Sequence, residues 1–338
     1  MKLTEEQLAN LEEGIRFDIN YGERRDITKE IRIFLIETTN YCNFNCCFCP
    51  YEKMKRKKGT MDFKLFKKII DEIKEWNIED LSLTGIGEPL LDPKITEKVK
   101  YAREKMPKEC IIEFNTNASL LTKEKFISLI EAGLDELRIS AFTTNYENYK
   151  KIHGFNNFNK VKDNIKNLKE IKKSLGVKNP IISMGFFNFP ESQETRNDWF
   201  RYWQPYMDKE DSWEAHNFSD GKNYKQVPKG KRFSCGRPFI MGDILWNGDV
   251  CICCADYEGK AVYGNVRNKS VKEIMLSLPY QSMLKIHKER KFELLPICDN
   301  CDQLIPNNLR NKITIKRIPY KIRHQILKIL KWKHSNKN

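Results

Sequence analysis

Cys42-Asn43-Phe44-Asn45-Cys46-Cys47-Phe48-Cys49 follows the first predicted strand of this chain and sets three cysteines, Cys42, Cys46 and Cys49, at C-x3-C-x2-C spacing on one loop. Three thiolates on one loop indicate metal binding. Iron–sulfur cubanes normally take four cysteines, so three would leave one iron open to a small chelating ligand. The alternatives are a zinc loop completed by a distant fourth ligand and a chance cluster of buried thiols.

The sequence around this loop alternates between short β-rich runs and longer amphipathic runs. In residues 62–76 the apolar side chains recur every three or four positions, which predicts a helix with one apolar stripe against a sheet. Repeated βα units with right-handed crossovers build a parallel sheet, open or closed into a barrel, whose active site lies beyond the carboxyl ends of the strands. The predicted strands are 31–38, 81–84, 111–115, 136–141 and 181–187, and the predicted helices are 62–76, 95–103, 123–132, 161–175 and 199–207.

A second unit of a different kind follows a polar stretch that ends near residue 228. Two β-rich runs flank Asn247-Gly248, a strong signal for a two-residue hairpin because both positions readily take positive φ. A capping box that begins at Ser270 then opens a helix with a bend at Pro279. The sequence therefore predicts a hairpin plus a helix, and we place this unit at residues 229–304.

The composition favours a folded protein with a large core. The chain has 338 residues with 40% hydrophobic and 11% aromatic content, and its 16 Gly and 13 Pro are too few for a collagenous or low-complexity chain. Its 11 cysteines are odd in number and clustered, which does not suit a disulfide framework. The apolar runs are too short to cross a bilayer and the N-terminus is too acidic for a secretory signal, so we expect a cytoplasmic location.

Both ends of the chain are predicted to differ from its body. Residues 1–30 are predicted to form a helical lead-in, with Thr4 and Gln7 in capping-box register. Residues 305–338 carry ten basic and no acidic residues, within a net charge of +14 for the whole chain. A basic amphipathic helix from Pro319 would suit peripheral contact with an anionic membrane, or equally the packing of its apolar stripe on the body.

The cysteine triplet resembles the signature of the radical S-adenosylmethionine (radical SAM) superfamily, in which an aromatic residue, here Phe48, precedes the last cysteine. The loop Thr-Gly-Ile-Gly-Glu-Pro at residues 84–89 is similar to the Gly-Glu-Pro loop of that family. The resemblance implies that Gly85, Gly87 and Glu88 hold the ammonium group of the cofactor. Such a loop on its own would be an ordinary βα turn.

Two further strand ends resemble the family's strand ends near the cofactor. Asn117 lies in Phe-Asn-Thr-Asn-Ala, and Ser140 lies in Arg-Ile-Ser-Ala. The resemblance implies that both contact SAM, with Ser140 at the carboxylate of the cofactor, although each also fits an ordinary strand terminus. Ile86 and Ala118 stand where the family often has glycine. The implied fold class is α/β, a partial (β/α)6 radical SAM barrel at residues 31–228 with a SAM-binding [4Fe-4S] cluster.

The second set of cysteines resembles the SPASM/twitch extension of radical SAM enzymes, in which a hairpin and a helix fold around an auxiliary cluster. The resemblance implies one auxiliary [4Fe-4S] cluster ligated by Cys235, Cys253, Cys298 and Cys301. Cys254 or Cys251 could replace Cys253 if the hairpin register differs. A structural zinc site of four cysteines is the alternative reading. Cys110 is predicted to be a buried thiol of a core strand.

The resemblance implies a mechanism as well as a fold. A one-electron donor such as flavodoxin or ferredoxin would reduce the first cluster, which cleaves SAM to methionine and a 5′-deoxyadenosyl radical. That radical would abstract hydrogen from the substrate. A fully ligated auxiliary cluster suits electron acceptance, so the expected net reaction is a two-electron oxidation.

The expected substrate is small or carbohydrate-like, because the residues before the first strand are too few for a leader-binding domain. Maturation of a ribosomally made peptide is the main alternative. An RNA-modifying iron–sulfur enzyme and a zinc-stabilised nucleic-acid-binding protein are weaker alternatives, and we expect no nucleic-acid partner. The last of these would explain the positive charge but not the Gly-Glu-Pro loop.

Overall fold

The computed structural model describes residues 26–187, 194–212, 216–218 and 235–302. The strands are β1 (Ile33–Ile36), β2 (Asp80–Ser82), β3 (Ile111–Thr116), β4 (Glu136–Ile139), β5 (Ile181–Phe186), β6 (Lys209–Ser212), β7 (Met241–Ile244), β8 (Asp249–Cys251) and β9 (Val262–Asn265). The helices before β6 are α1 (Ile27–Glu30), α2 (Phe63–Ile73), α3 (Ile95–Lys105), α4 (Lys123–Glu131), α5 (Tyr146–His153), α6 (Phe158–Lys166), α7 (Leu168–Ser174) and α8 (Arg196–Trp203). The helices after it are α9 (Arg237–Ile240), α10 (Val271–Met275), α11 (Leu278–Glu289) and α12 (Pro296–Asp299).

Within these residues the nine strands form one sheet, in the order β6-β5-β4-β3-β2-β1-β7-β8-β9. Strands β1 to β6 are parallel, and each lies beside the next strand along the chain. Every crossover between them contains at least one helix. This arrangement is that of a partial (β/α)6 barrel and confirms the predicted fold class.

Helix α2 shows how a local sequence pattern leads to a helix. Asp62 caps it, since its Oδ1 accepts a hydrogen bond from the backbone N–H of Leu65 at 2.8 Å. Its apolar stripe, which includes Phe66, is fully buried against the sheet. Beyond the helix end, Trp76 meets Phe34 of β1 edge to face at 6.3 Å. Each large apolar side chain buried in this way contributes about 1.5–3 kcal/mol.

The two faces of the sheet differ in chemistry. A Cβ added at Gly242 would lie under 3.0 Å from the ring of Phe34, so these two residues, which pair in register, face the helix layer. Side chains alternate along a strand, so Leu35 of β1 and its register partner Asp243 of β7 face the barrel interior. Register through β2 and β3 puts Glu113 on the same interior face.

The hairpin after the barrel continues the barrel sheet. Strand β7 pairs in parallel with β1, and β8 and β9 add antiparallel strands beyond it. The predicted two-residue turn is wrong: Leu245 N–H bonds the carbonyl of Asp249 at 2.9 Å, which closes a three-residue loop. Gly248 takes φ +96 within it, whereas Asn247 does not take positive φ. The third strand, β9, is not predicted from the sequence.

Two predicted helices are each divided in the structure. The single helix predicted at 161–175 is wrong, because α6 and α7 meet at Asn167. The capping box of Ser270 and Glu273 is confirmed, but it opens the short helix α10, and Pro279 lies in the first turn of α11 rather than at a bend.

Three other predictions stay predictions. The lead-in capped at Thr4, the boundary after residue 228 and the basic tail fall outside the described residues. Among the residues that are described, no helix is both long enough and apolar enough to span a membrane.

Candidate active site and cluster-binding cysteines

The three cysteines of the predicted triplet lie on a compact loop beyond the carboxyl end of β1. Cys49 donates its backbone N–H to the carbonyl of Cys46 at 3.0 Å, and the N–H of Phe44 points to Cys42 Sγ at 3.5 Å. Cys42, Cys46 and Cys49 are partly buried, whereas Cys47 is exposed. Burial therefore distinguishes the three cysteines of the triplet from Cys47, the fourth cysteine of this stretch.

Burial dominates the electrostatics of these thiols. It raises the pKa of Cys42 to about 11 and that of Cys49 to about 12. It also raises the pKa of Cys46, and the nearby thiols of Cys49 and Cys42 raise that pKa further. Thiols in such a setting keep their protons until a metal displaces them. Three soft thiolate donors on one loop fit an iron–sulfur cluster.

The C-terminal end of α5, which the sequence analysis missed, supports this loop. His153 Nδ1 lies 3.5 Å from Cys46 Sγ, and the carbonyl of Ile152 accepts the N–H of Cys47 at 2.9 Å. Gly154 ends the helix at φ +61, and a Cβ there would collide with the carbonyl of Asn45. Burial lowers the pKa of His153 to about 3, so its ring is neutral. The Asn-capped start and glycine end of α5 were the available sequence signals.

Phe48 lies against the residues that follow β4. Its ring meets Phe142 edge to face at 5.4 Å and His153 at 6.2 Å. Ser140, at the end of β4, is partly buried and donates its backbone N–H to the carbonyl of Thr116 at 2.9 Å. The structure thus brings the aromatic residue of the triplet and the end of β4 to the same edge of the sheet.

The Gly-Glu-Pro loop packs directly on the segment that leads into the cysteine loop. A Cβ at Gly85 would lie under 3.0 Å from the side chain of Glu37, and one at Gly87 would lie under 3.0 Å from the carbonyl of Thr39. The N–H of Glu88 donates to the carbonyl of Tyr41 at 2.8 Å. Gly87 is therefore required by close backbone approach, and Gly85 by the packed side chain of Glu37.

Glu88 is a buried connector between two loops. Its carboxylate accepts hydrogen bonds from Thr116 Oγ1 and from the N–H of Asn117, both at 2.7 Å. Burial raises its pKa to about 7 against the lowering effect of these bonds. Asn117 in turn donates its Nδ2 to Asn43 Oδ1 in the cysteine loop at 2.9 Å. Ala118 takes φ +60, the left-handed conformation that favours glycine.

The auxiliary cysteines come from three separate places in the second unit. Cys235 precedes α9, Cys253 and Cys254 follow β8, and Cys298 and Cys301 flank the end of α12. The N–H of Cys301 donates to the carbonyl of Cys298 at 3.2 Å.

Both members of the Cys253–Cys254 pair are partly buried and lie close to Cys235. The choice between them as a ligand stays a prediction. Cys251, on β8, pairs in register with Asp243 instead. Across the described ranges, no three Cys, His, Asp or Glu side chains converge to hold one single ion.

The family of the chain follows from two matches. A model of the radical SAM superfamily matches residues 36–197, and a model of the iron–sulfur cluster-binding SPASM domain matches residues 235–302. This chain is a radical SAM enzyme with a SPASM domain. The family implies SAM and a [4Fe-4S] cluster in the barrel and iron–sulfur binding in the SPASM domain. The cysteines described above are the groups that fit those roles.

Two curated relatives of this radical SAM enzyme differ in how much of their length it matches. A probable GTP 3′,8-cyclase of Methanococcus maripaludis is 33% identical over 145 residues, which are 42% of this chain and 47% of the relative. The chain thus spans about half the length of such relatives. An S-adenosyl-L-methionine-dependent 2-deoxy-scyllo-inosamine dehydrogenase of Niallia circulans is 23% identical over 271 residues, covering 80% of this chain and 92% of the relative.

Solved structures share the fold of this radical SAM enzyme. BtrN in complex with AdoMet and 2-DOIA has a TM-score of 0.57 at 19% identity, covering 83% of this chain and 96% of BtrN. Streptococcus suis SuiB bound to the precursor peptide SuiA has a TM-score of 0.63 at 14% identity, covering 83% of this chain and 71% of SuiB.

The interior of the radical SAM barrel holds a charged network that the sequence analysis missed. Arg138 Nε lies 2.9 Å from Glu113, 3.2 Å from Glu136 and 3.6 Å from Asp211. Lys209 Nζ lies 2.6 Å from the same Glu136. The net charge of these five groups is negative when all are ionised. Alternation along strands β3, β4 and β6 is the signal that places them on one face.

A second missed group joins the barrel to the SPASM domain. Arg56, just beyond the cysteine loop, forms an ion pair with Glu37 at the end of β1, and its Nε donates to the carbonyl of Tyr257 at 2.5 Å. Glu37 also accepts the backbone N–H groups of Ile86 at 3.3 Å and Trp246 at 3.2 Å. One carboxylate therefore contacts the Gly-Glu-Pro loop, the segment just after the cysteine loop and the SPASM hairpin.

Proposed function

We propose that this radical SAM oxidoreductase dehydrogenates a small hydroxylated substrate, a sugar or an aminocyclitol, in a two-electron oxidation. The observation that carries the proposal is the charged barrel interior around Arg138, with its carboxylate partners Glu113, Glu136 and Asp211. Such a lining offers many directional hydrogen-bond partners to hydroxyl and ammonium groups. An apolar substrate would displace water from these charged groups without offering hydrogen bonds in return.

The relative that matches along nearly its whole length supports this substrate class. The 2-deoxy-scyllo-inosamine dehydrogenase of Niallia circulans aligns over 92% of its length and 80% of this chain. The cyclase relatives align over about half of theirs. The longer alignment therefore favours the dehydrogenase reaction over cyclisation.

The proposed roles of the site residues follow from their placement. Cys42, Cys46 and Cys49 would hold the SAM-binding cluster, which supplies a 5′-deoxyadenosyl radical from SAM when it is bound and reduced. Phe48, Gly85, Gly87, Glu88, Asn117 and Ser140 would form the SAM site. The cysteine loop and the Gly-Glu-Pro loop are held together by backbone contacts. These contacts fix the distance between the cluster cysteines and the proposed SAM site.

Asp243 is the residue best placed to take a proton from the substrate. It faces the barrel interior on β7, is 6% exposed, and its Oδ2 has no hydrogen-bond partner among the described residues. Burial raises its pKa, and the nearby carboxylates Glu37 and Asp256 raise it further, while Arg56 and Arg237 lower it. A carboxylate with a raised pKa is a stronger general base than an ordinary one.

The SPASM cysteines would hold the acceptor of the electron that leaves with this proton. Cys235, Cys253, Cys298 and Cys301 would saturate an auxiliary [4Fe-4S] cluster, which suits electron transfer. A one-electron donor such as flavodoxin or ferredoxin would start the cycle at the other cluster. Contact of the basic tail with an anionic membrane also stays a proposal.

Maturation of a ribosomally made peptide is the second candidate. It is favoured by the similarity of the fold to SuiB, whose structure contains the precursor peptide SuiA. It requires the charged interior to accept a peptide side chain instead of a sugar.

One experiment separates the two candidates. Reconstituted, reduced enzyme is incubated anaerobically with SAM and either 2-deoxy-scyllo-inosamine and related aminocyclitols or a pool of cysteine-containing peptides. The proposal predicts that the aminocyclitol pool stimulates 5′-deoxyadenosine formation and yields a product that lacks two hydrogen atoms. Stimulation by the peptides alone would assign peptide maturation instead.

A further inference from the structure

Two side chains beside the auxiliary cysteines have no place in the ligand pattern. Arg237 comes from α9 and His287 comes from α11. The two helices pack together: Tyr280 donates its hydroxyl to the carbonyl of Pro238 at 3.3 Å, and Phe239 meets the ring of His287 edge to face at 6.4 Å. The two side chains are therefore held in one packed unit next to the cysteines.

His287 makes a direct contact with a proposed ligand. Its Nε2 lies 3.2 Å from Cys298 Sγ, and the residue is 1% exposed. A cysteine that ligates iron is a thiolate and has no hydrogen to donate, so the ring nitrogen must be the donor. A hydrogen bond to a ligand sulfur stabilises the more negative, reduced form of a cluster and raises its reduction potential.

Arg237 places a fixed positive charge at the same site. It lies two residues after Cys235, at the start of α9, and is partly buried. Its guanidinium lies close enough to the sulfurs of Cys254, Cys235, Cys253 and Cys301 to interact with them electrostatically. A cation among the ligand sulfurs also favours the reduced cluster.

The histidine beside the SAM-binding cysteines makes a longer contact. His153 Nδ1 lies 3.5 Å from Cys46 Sγ, whereas His287 Nε2 lies 3.2 Å from Cys298 Sγ. The hydrogen bond that a histidine can give to a ligand sulfur is therefore shorter at the auxiliary site.

We propose that Arg237 and His287 raise the reduction potential of the auxiliary cluster and so favour electron transfer to it from the substrate radical. This inference deepens the proposed function and rests on it. In the step concerned, the substrate radical loses the hydroxyl proton to a carboxylate, its C–O bond becomes C=O, and the remaining electron reduces the auxiliary cluster by one unit. Because the step is electron transfer, its driving force depends directly on that potential.

The test measures potentials without any substrate. The full chain with Cys42→Ala, Cys46→Ala and Cys49→Ala keeps only the auxiliary cluster, whose midpoint potential is determined by redox titration with electron paramagnetic resonance. Arg237→Gln and His287→Phe are each made in this background. His287→Phe keeps a ring between Phe239 and Phe292 but removes the donor. Lys285→Gln removes an exposed charge from the same helix as a control.

Arg237→Gln and His287→Phe are each expected to lower the equilibrium constant for one-electron reduction of the cluster at least tenfold. This corresponds to a fall of about 59 mV in the midpoint potential. Lys285→Gln is expected to leave it unchanged, and Arg237→Lys should keep most of the wild-type value. Unchanged potentials in both test variants, at full iron content, would overturn the inference. If Arg237→Gln fails to take up iron, the potential of His287→Phe decides. Because no substrate is used, this failure is distinct from a failure to oxidise aminocyclitols.

Discussion

The carboxylate of Glu37 forms a two-point ion pair with the guanidinium of Arg56, with Oε1–Nη2 at 2.5 Å and Oε2–Nη1 at 2.8 Å. Glu37 is 2% exposed. The pair joins the end of β1 to the segment after the cysteine loop, and Arg56 extends the connection to the SPASM domain through Tyr257. The relative position of the two cluster sites therefore depends on a buried charge pair.

Removing the cation of this pair should be strongly destabilising. Arg56→Gln leaves the Glu37 carboxylate buried without its partner, which costs about 3–5 kcal/mol. Chemical denaturation of the full chain measures the loss. Arg267→Gln is the matched control, because Arg267 pairs with Asp62 where both side chains are 48% exposed, and such pairs contribute at most about 1 kcal/mol. Equal effects of the two substitutions would show that the Glu37 pair has no special role.

Gly87→Ala should weaken SAM binding. The added Cβ would press on the carbonyl of Thr39, so the Gly-Glu-Pro loop must move away from the cysteine loop. We expect at least a tenfold rise in the SAM dissociation constant, measured by equilibrium binding to reconstituted enzyme. Gly176→Ala is the control: its Cβ meets nothing within 4 Å, but φ +65 costs about 1 kcal/mol of stability. SAM affinity that survives Gly87→Ala would remove the loop from the proposed SAM site.

Asp243→Asn should separate hydrogen abstraction from substrate oxidation. Asparagine keeps the shape but cannot take a proton, so substrate-stimulated 5′-deoxyadenosine should persist while oxidised product falls by about 10²-fold or more. Because the base acts when deprotonated and its pKa is raised, wild-type product formation should increase as pH rises through that pKa. Asp249→Asn in the same hairpin is the control. Full product formation by Asp243→Asn would assign the proton to another group.

The raised pKa of Glu88 predicts that the free energy of unfolding falls as pH rises. Its folded pKa of about 7 exceeds its ordinary value of 4.5, so the unfolded chain loses the proton first as pH rises. The wild type should therefore lose roughly 3 kcal/mol of unfolding free energy between about pH 4.5 and pH 7 from this residue. Glu88→Gln should remove that part of the slope, and Glu97→Gln on an exposed surface should not. Parallel pH profiles for wild type and Glu88→Gln would contradict the buried, protonated carboxyl.

The sequence predicts the elements that depend on local pattern. Helix α2 has both a capping aspartate and a continuous apolar stripe, and the structure confirms it. The capping box at Ser270 is a contact between residues three apart, so it too is visible in the sequence. The barrel order follows from the alternation of such elements together with the family resemblance.

Contacts between distant residues could not be predicted in the same way. Glu37 and Trp246 are 209 residues apart, and only the parallel pairing of β7 with β1 brings them together. The same pairing makes Asp243 face the barrel interior, which its hairpin context does not reveal. The three-residue loop at Gly248 depends on strand register, so the two-residue turn was wrong although the hairpin itself is confirmed.

The most direct test of the proposed function follows the hydrogen atom. Reduced, reconstituted enzyme is given SAM and 2-deoxy-scyllo-inosamine with deuterium at its carbon-bound positions, and 5′-deoxyadenosine and product are analysed by mass spectrometry. If the enzyme is an aminocyclitol dehydrogenase, deuterium appears in 5′-deoxyadenosine together with a matching amount of ketone. Unlabelled 5′-deoxyadenosine with no ketone from any aminocyclitol, together with labelled 5′-deoxyadenosine from deuterated peptides, would contradict it.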